Sequence, residues 1–204
     1  MRKNLPVTAV EYLYPENCTL VSVTDLKGRI VYCNRAFIEV SGYDEHELIG
    51  KAHNLIRHPD MPPEAFRDMW ATIQSGVSWT ALVKNRRKDG SHYWVRANAT
   101  PMRHGERVCG YLSVRTKPER AEIASAEALY ARMNKEAQAG RLVHRLHKGS
   151  VERSDLLGRI RSVARPTATL QLFGVHLAAA GMAAVADAAS SSTMAAFCCV
   201  ITSS

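Results

Sequence analysis

The sequence predicts an α+β fold in which a five-stranded antiparallel sheet carries helices on one face, and three observations predict it. Short segments of alternating apolar and polar residues stand at both ends of one region, two before a helical stretch and three after it. Within that stretch Ala65, Phe66, Met69, Trp70 and Ile73 recur at the spacing of a single helix face. Turn signals, either glycine with polar neighbours or a proline cluster, separate the segments. Strands before and after a run of helices place those helices together against one sheet.

Taken in order, apolar residues alternate with Thr and Ser from Cys18 to Asp25, Asp25-Leu-Lys-Gly28 turns, and Arg29-Ile-Val-Tyr-Cys33 resumes the pattern, which predicts a hairpin. Asn34 stands where an N-cap belongs, ahead of Arg35-Ala-Phe-Ile-Glu-Val40, and Ser41-Gly42 closes that short helix. Asp44 caps a second turn of helix bearing Glu45, Glu47, Leu48 and Ile49, which Gly50 ends. The stretch Asn54-Leu-Ile-Arg-His-Pro-Asp-Met-Pro-Pro63 cannot be a helix interior, because proline removes a backbone donor and pushes the residue before it towards extended backbone. It is a rigid loop, and its Arg57, His58 and Asp60 suit a planar, hydrogen-bonding, anionic ligand, with arginine the natural fork for phosphate. The same residues also fit a plain turn in which Asp60 caps the next helix and Arg57 is solvated. The helix from Pro63 to Gly76 follows, then strands from Trp79 to Lys88, His92 to Met102 and Arg107 to Thr116. In the second of these, Tyr93, Val95, Ala97 and Ala99 take one face, and Trp94, Arg96, Asn98 and Thr100 take the other.

Charge is distributed unevenly over the 204 residues, whose formal net charge is +8. Acidic and basic residues mix through the first two thirds, basic residues dominate from Arg141 to Arg165, and no Lys or Arg follows Pro166. The basic run lacks interleaved aromatics on which bases would stack, so a nucleic-acid partner is not expected. None of the five cysteines belongs to a Cys-x-x-Cys pair, which leaves zinc-ribbon and thioredoxin chemistry without support. No signal sequence opens the chain, which places the domain in the cytoplasm.

A sheet face bearing Trp94 needs a cover. Residues 118–140 offer one: Glu119, Glu122 and Glu127 lead an alanine-rich helical stretch with Ile123, Leu129, Tyr130 and Met133. This stretch either folds back on the sheet, pairs with a second subunit or stays a solvated linker. The segment Arg141-Leu-Val-His-Arg-Leu-His-Lys-Gly149 comes next, with His144 and His147 on one helical face, but two histidines without a third ligand do not make a metal site. From Leu170 to Ala189 an alanine-dominated apolar tail nears the length of a membrane-spanning helix, though Gln171, His176 and Asp187 interrupt it. The basic residues ahead of it fit the positive-inside rule.

The order of elements, together with Asn85-Arg-Arg-Lys-Asp-Gly-Ser-His-Tyr-Trp-Val-Arg-Ala-Asn98 and Arg57-His-Pro-Asp-Met-Pro62, resembles the flavin-binding PAS domain of bacterial aerotaxis receptors across residues 7–149. The resemblance implies a PAS fold, FAD held without a covalent bond, and a redox state passed to a chemotaxis signalling domain. It divides the chain into an N-terminal cap (1–17), a PAS sensor domain (18–117), a helical and basic linker (118–165) and an apolar tail (166–204) as a candidate membrane anchor. Carried over by motif, Arg57, His58 and Asp60 bind or order the cofactor, with Arg57 taking its anionic parts. Asn34 and Asn85 meet polar edges, and Phe66, Trp70 and Trp79 wall the site. Flavin chemistry belongs to the ring, so neither a catalytic residue nor a metal is required, and the expected role is sensory rather than enzymatic.

Light-sensing flavin PAS domains resemble this chain in overall order but carry a reactive cysteine where His53 stands here, an asparagine at Val95 and a glutamine at Arg115. Without the thiol no photochemical adduct forms, which favours redox sensing. An arginine at 115 favours anionic, reduced forms of a flavin if it points inward, and the apolar residues on both faces of its strand leave that direction open. Haem is a rival cofactor, with His46, His53 and His58 available, although the helix from Pro63 to Gly76 contains no histidine. A cofactor-free PAS dimerisation module is the alternative of another class. Expected partners are a second copy, through the PAS domain or linker helix, and a chemotaxis receptor signalling domain, with the module tethered to the inner face of the cytoplasmic membrane. Such receptors continue into a coiled coil where this sequence ends, so a shortened, non-signalling receptor fragment is a further expectation.

Overall fold

A computed structural model describes residues 4–153. The apolar tail therefore lies outside the described residues. Strands β1 (Leu20–Thr24) and β2 (Ile30–Cys33) form the first hairpin, and α1 (Arg35–Ser41), α2 (Glu45–Leu48), a 3-10 turn (His53–Ile56) and α3 (Pro63–Gln74) precede β3 (Trp79–Arg86), β4 (His92–His104) and β5 (Arg107–Thr116). The strands form one five-stranded antiparallel sheet, as the alternation predicts, and the structure orders them β2-β1-β5-β4-β3.

Local chemistry starts and stops the helices. Asn34 Oδ1 accepts the Phe37 N–H at 3.0 Å, and Gly42 ends α1 at φ 73°, a left-handed conformation that glycine adopts without steric cost. Asp44 and Glu47 make a reciprocal capping box on α2. Pro63 opens α3 at its first position, where a missing N–H leaves nothing unpaired.

Register then assigns side chains to two faces. Trp79 pairs with Ala99, Val83 with Val95, Asn85 with Tyr93 and Ala97 with Arg115, so these residues share the inner face, beneath α1 and α3. The outer face carries Trp94, and it is covered. Helix α4 (Arg120–Gln138) lies across it, burying Ile123, Ala126, Tyr130 and Met133 at intervals of one helical turn. The Tyr130 ring stacks on Trp94 with centroids 6.4 Å apart, its hydroxyl donates to Leu82 O at 2.7 Å, and Arg96 pairs with Glu122. Trp94 is left 3% exposed. The residues 118–140 thus fold back on the sheet.

Beyond α4 the chain does not continue as a helix. β6 (His144–His147) and β7 (Ser150–Arg153) form a second hairpin. His144 and His147 consequently do not share a helical face. In strand β6, His144 is buried with Nδ1 2.6 Å from Glu136 Oε1, while His147 is exposed. The N-terminal segment straps the opposite edge, where Thr8 N donates to Gly90 O (2.8 Å), Tyr12 N to His92 O (2.7 Å) and Asn4 Nδ2 to Asn54 O (2.8 Å) and Arg57 O (2.9 Å).

If α4 is held chiefly by this aromatic contact, Trp94→Ala is expected to cost about 3 kcal/mol or more in urea unfolding, the range for deleting a buried indole. A loss below about 1 kcal/mol would mean that α4 does not seal the outer face.

Candidate functional site

The inner face of the sheet does not meet the helices everywhere. Where β4 presents only the short side chains of Ala97 and Ala99, a cleft of about 150 Å³ remains. Trp79 and Val83 floor it, Phe66, Met69 and Trp70 of α3 wall one side, and the 3-10 turn with His53, Asn54 and Ile56 closes another. Lys27 and Gly28 stand at the mouth. Small-molecule clefts commonly measure several hundred Å³, so a three-ring ligand fits only if half-buried Phe66 and Trp70 move outward. Trp70 rests edge-on against Tyr111, centroids 5.5 Å apart, and its ring approaches Gly28 so closely that a Cβ there would stand 2.9 Å from it.

Two arginines line this cleft. Arg57 is buried, donates through Nη2 to Met61 O at 3.0 Å, and stacks its guanidinium 3.9 Å from the centre of the Phe66 ring. Arg115 points inward, which the alternation in its strand left open. Its Nη1 donates to Ser22 Oγ at 3.1 Å, and its Nη2 lies 2.7 Å from His53 Nε2. Burial lowers both guanidinium pKa values to about 10. Neither pairs with a carboxylate among the described residues, so the cleft holds two desolvated positive charges that an anionic ligand would neutralise.

His53 joins this pair as an acceptor. Arginine can only donate, so His53 Nε2 carries no proton and the ring is the neutral Nδ1–H tautomer. Burial, then the nearby Arg115 charge, lowers its pKa to about 3. Asn85 supplies the other polar feature. Its Nδ2 is buried and, like the hydroxyl of Tyr93 opposite, lacks a hydrogen-bond partner of good geometry.

Of the residues predicted from sequence, Arg57, Phe66, Trp70, Trp79 and Asn85 come together around the cleft. Asn34, His58 and Asp60 do not. The Asn34 amide is engaged with the chain, accepting from Val21 N and Phe37 N and donating to Thr19 O. His58 turns away to face His92, ring centroids 5.7 Å apart. Asp60 reaches the outer side, where its carboxylate pairs with Lys84 Nζ at 2.9 Å and its carbonyl accepts from Asn134 of α4 at 2.7 Å. The loop therefore serves two places, with a turn closed by Met61 N on His58 O between them. His53, Ser113, Ala97 and Ala99 also line the cleft. The inward alternation of Ala97 and Ala99 was readable and His53 stood out as the counterpart of a reactive cysteine, but nothing in the sequence marked Ser113 or the two alanines as part of a site.

The sheet and its helices form a PAS-type fold, and residues 30–115 match the PAS fold family. Over 148 residues, 72% of this chain and 28% of that protein, the chain is 49% identical to the aerotaxis receptor of Escherichia coli (strain K12). Similarity to the nitrogen fixation regulatory protein of Klebsiella oxytoca is 32% identity over 82 residues, 40% of this chain and 17% of that one. The chain thus spans well under a third of these relatives. Among solved structures, the dark state of the blue-light photoreceptor Aureochrome1 LOV aligns with a TM-score of 0.48 at 21% identity, covering 58% of this chain and 86% of that chain.

Acid stability should register the buried imidazoles. His53, His58 (lowered to about 4, chiefly by burial) and His92 are all neutral when folded and take protons more readily when unfolded. Their contribution is complete above pH ~6.5 and is lost as pH falls towards the folded values. The urea midpoint is expected to drop between pH 7 and pH 5, and His53→Gln, which keeps an acceptor, to flatten that drop. Since one edge of His53 opens on the cleft, its share is below the ~1.4 kcal/mol per pH unit of a fully buried group. An identical pH slope in the variant would rule out a neutral His53 beside Arg115.

Proposed function

We propose that this chain is a sensory module that holds FAD non-covalently in the cleft and reports its redox state to chemotaxis signalling. The observation that carries the reading is the pair of buried guanidiniums, Arg57 and Arg115, facing one aromatic-walled cleft without a carboxylate. A flavin, when bound, supplies reversible electron transfer at its ring. The residues fit such a group: Asn85 Nδ2 offers an unused donor, Trp79 and Phe66 offer flat apolar surface, and Arg115 favours negative charge that accumulates on reduction. Homology to a protein named for aerotaxis supports the same assignment. PAS domains of this family are signalling modules rather than enzymes.

The output would be conformational. Helix α4 and the second hairpin both pack against the domain and lead towards the basic segment and the tail. The partners would be a second copy of the chain and a receptor signalling domain, at the cytoplasmic face of the membrane. Among the described residues no helix is long and apolar enough to cross a membrane. The small cleft favours one rival, a domain that packs without cofactor and acts by dimerising.

The purified chain is expected to show paired visible flavin bands that bleach with dithionite, and heat should release FAD. Arg57→Ala should lower flavin retention about tenfold to a hundredfold, the value of a charge-assisted hydrogen bond, with far-UV circular dichroism unchanged. A colourless, folded chain that takes up no added FAD would support the cofactor-free module instead.

A further inference from the structure

Helix α3 presents two faces. Phe66, Met69 and Trp70 line the cleft, while Asp68 is directed at the second hairpin and is 4% exposed. This buried carboxylate accepts three N–H groups. Trp79 Nε1 donates to Oδ2 at 2.7 Å, Gly149 N donates to Oδ2 at 2.8 Å and Lys148 N donates to Oδ1 at 2.9 Å. Trp79 is a cleft wall, and Lys148 and Gly149 form the turn between β6 and β7. One side chain therefore joins the cleft to a turn some eighty residues away in sequence.

The turn is seated with little tolerance. Gly149 has φ +81°, and a Cβ there would stand 1.9 Å from Thr80 O, the carbonyl directly after Trp79. At its other end the hairpin is anchored to α4, where Glu136 accepts from Val143 N (3.0 Å) and His144 N (2.9 Å), and Leu146 is buried in the core. Leu146 shares that core with Trp79, and Asp68 adds the polar link between the turn and the cleft.

We propose that Asp68 is a positioning residue that couples occupancy of the cleft to docking of the β6–β7 hairpin. A planar ligand seated against Trp79 fixes its indole N–H on Asp68, which fixes the carboxylate for the two backbone donors. By reciprocity, a docked hairpin must tighten ligand binding by the factor by which the ligand tightens docking. The hairpin lies within the basic segment, so cleft occupancy reaches that segment. The inference rests on the flavin reading only for its probe, FAD.

The test is amide hydrogen exchange on the full chain, read at Lys148 and Gly149 against core amides of β4 such as Val95. Added FAD is expected to slow exchange at Lys148 and Gly149 at least threefold. Asp68→Asn should speed it about tenfold without ligand while Val95 is unmoved, as should Trp79→Phe, which removes the N–H donor along with part of the ring. Gly149→Ala, which evicts the turn, should weaken FAD binding by the same factor by which FAD slowed exchange in the parent. Unchanged FAD affinity in Gly149→Ala, or unchanged exchange at Lys148 and Gly149 in Trp79→Phe, would overturn the coupling. If the parent binds no FAD, the flavin reading fails, and the ligand-free exchange in Trp79→Phe still decides whether Asp68 links the cleft wall to the turn.

Discussion

Strand β4, between β5 and β3, has to satisfy two opposed demands, and the rest of the molecule follows from how it does so. Towards α3 it turns Ala97 and Ala99, side chains too short to fill the space between sheet and helices, and a cleft results. On the outer face it turns Trp94, a ring too large to leave in water. Small residues inside and a large one outside make the same strand both the floor of a site and the seat of helix α4. Alternation of side chains along a strand links the two functions, since neither face changes without moving the other.

Electrostatics separates the domain as sharply as packing does. Carboxylates satisfy the cations on the outer face, where Lys84 meets Asp60 and Glu127 and Arg96 meets Glu122. On the inner face Arg57 and Arg115 find only carbonyls, a hydroxyl and a neutral imidazole. Holding two such charges out of water is costly, and a domain built for stability alone would have paired them or replaced them. Asp68 presents the opposite case, a buried acid satisfied by three donors, and the fold places it where a cleft wall meets the linker.

The rigid loop shows how far residue type alone can be trusted. Arg57, His58 and Asp60 are adjacent in sequence and share a chemistry, which argues for one site. Arg57 enters the cleft, while the turn that follows takes His58 towards His92 and Asp60 across to Lys84 and α4. Asn34 likewise looked available for a ligand, yet its amide caps α1 and bonds Thr19 and Val21. Phe66, Trp70, Trp79 and Asn85, which the resemblance singled out, stand at the cleft.

Sequence by itself determined the strands, the helices, their caps and the two faces of the sheet, since these depend on neighbours one to four residues away. It also carried the resemblance that names the fold. Only the tertiary structure decided that Arg115 points inward onto His53, that α4 covers Trp94 and that residues 144–153 form a hairpin on Asp68. The physical reason is one of range. A turn held by a carboxylate eighty residues distant and a guanidinium placed by register across four strands are contacts between elements, and no local pattern records which element will stand opposite.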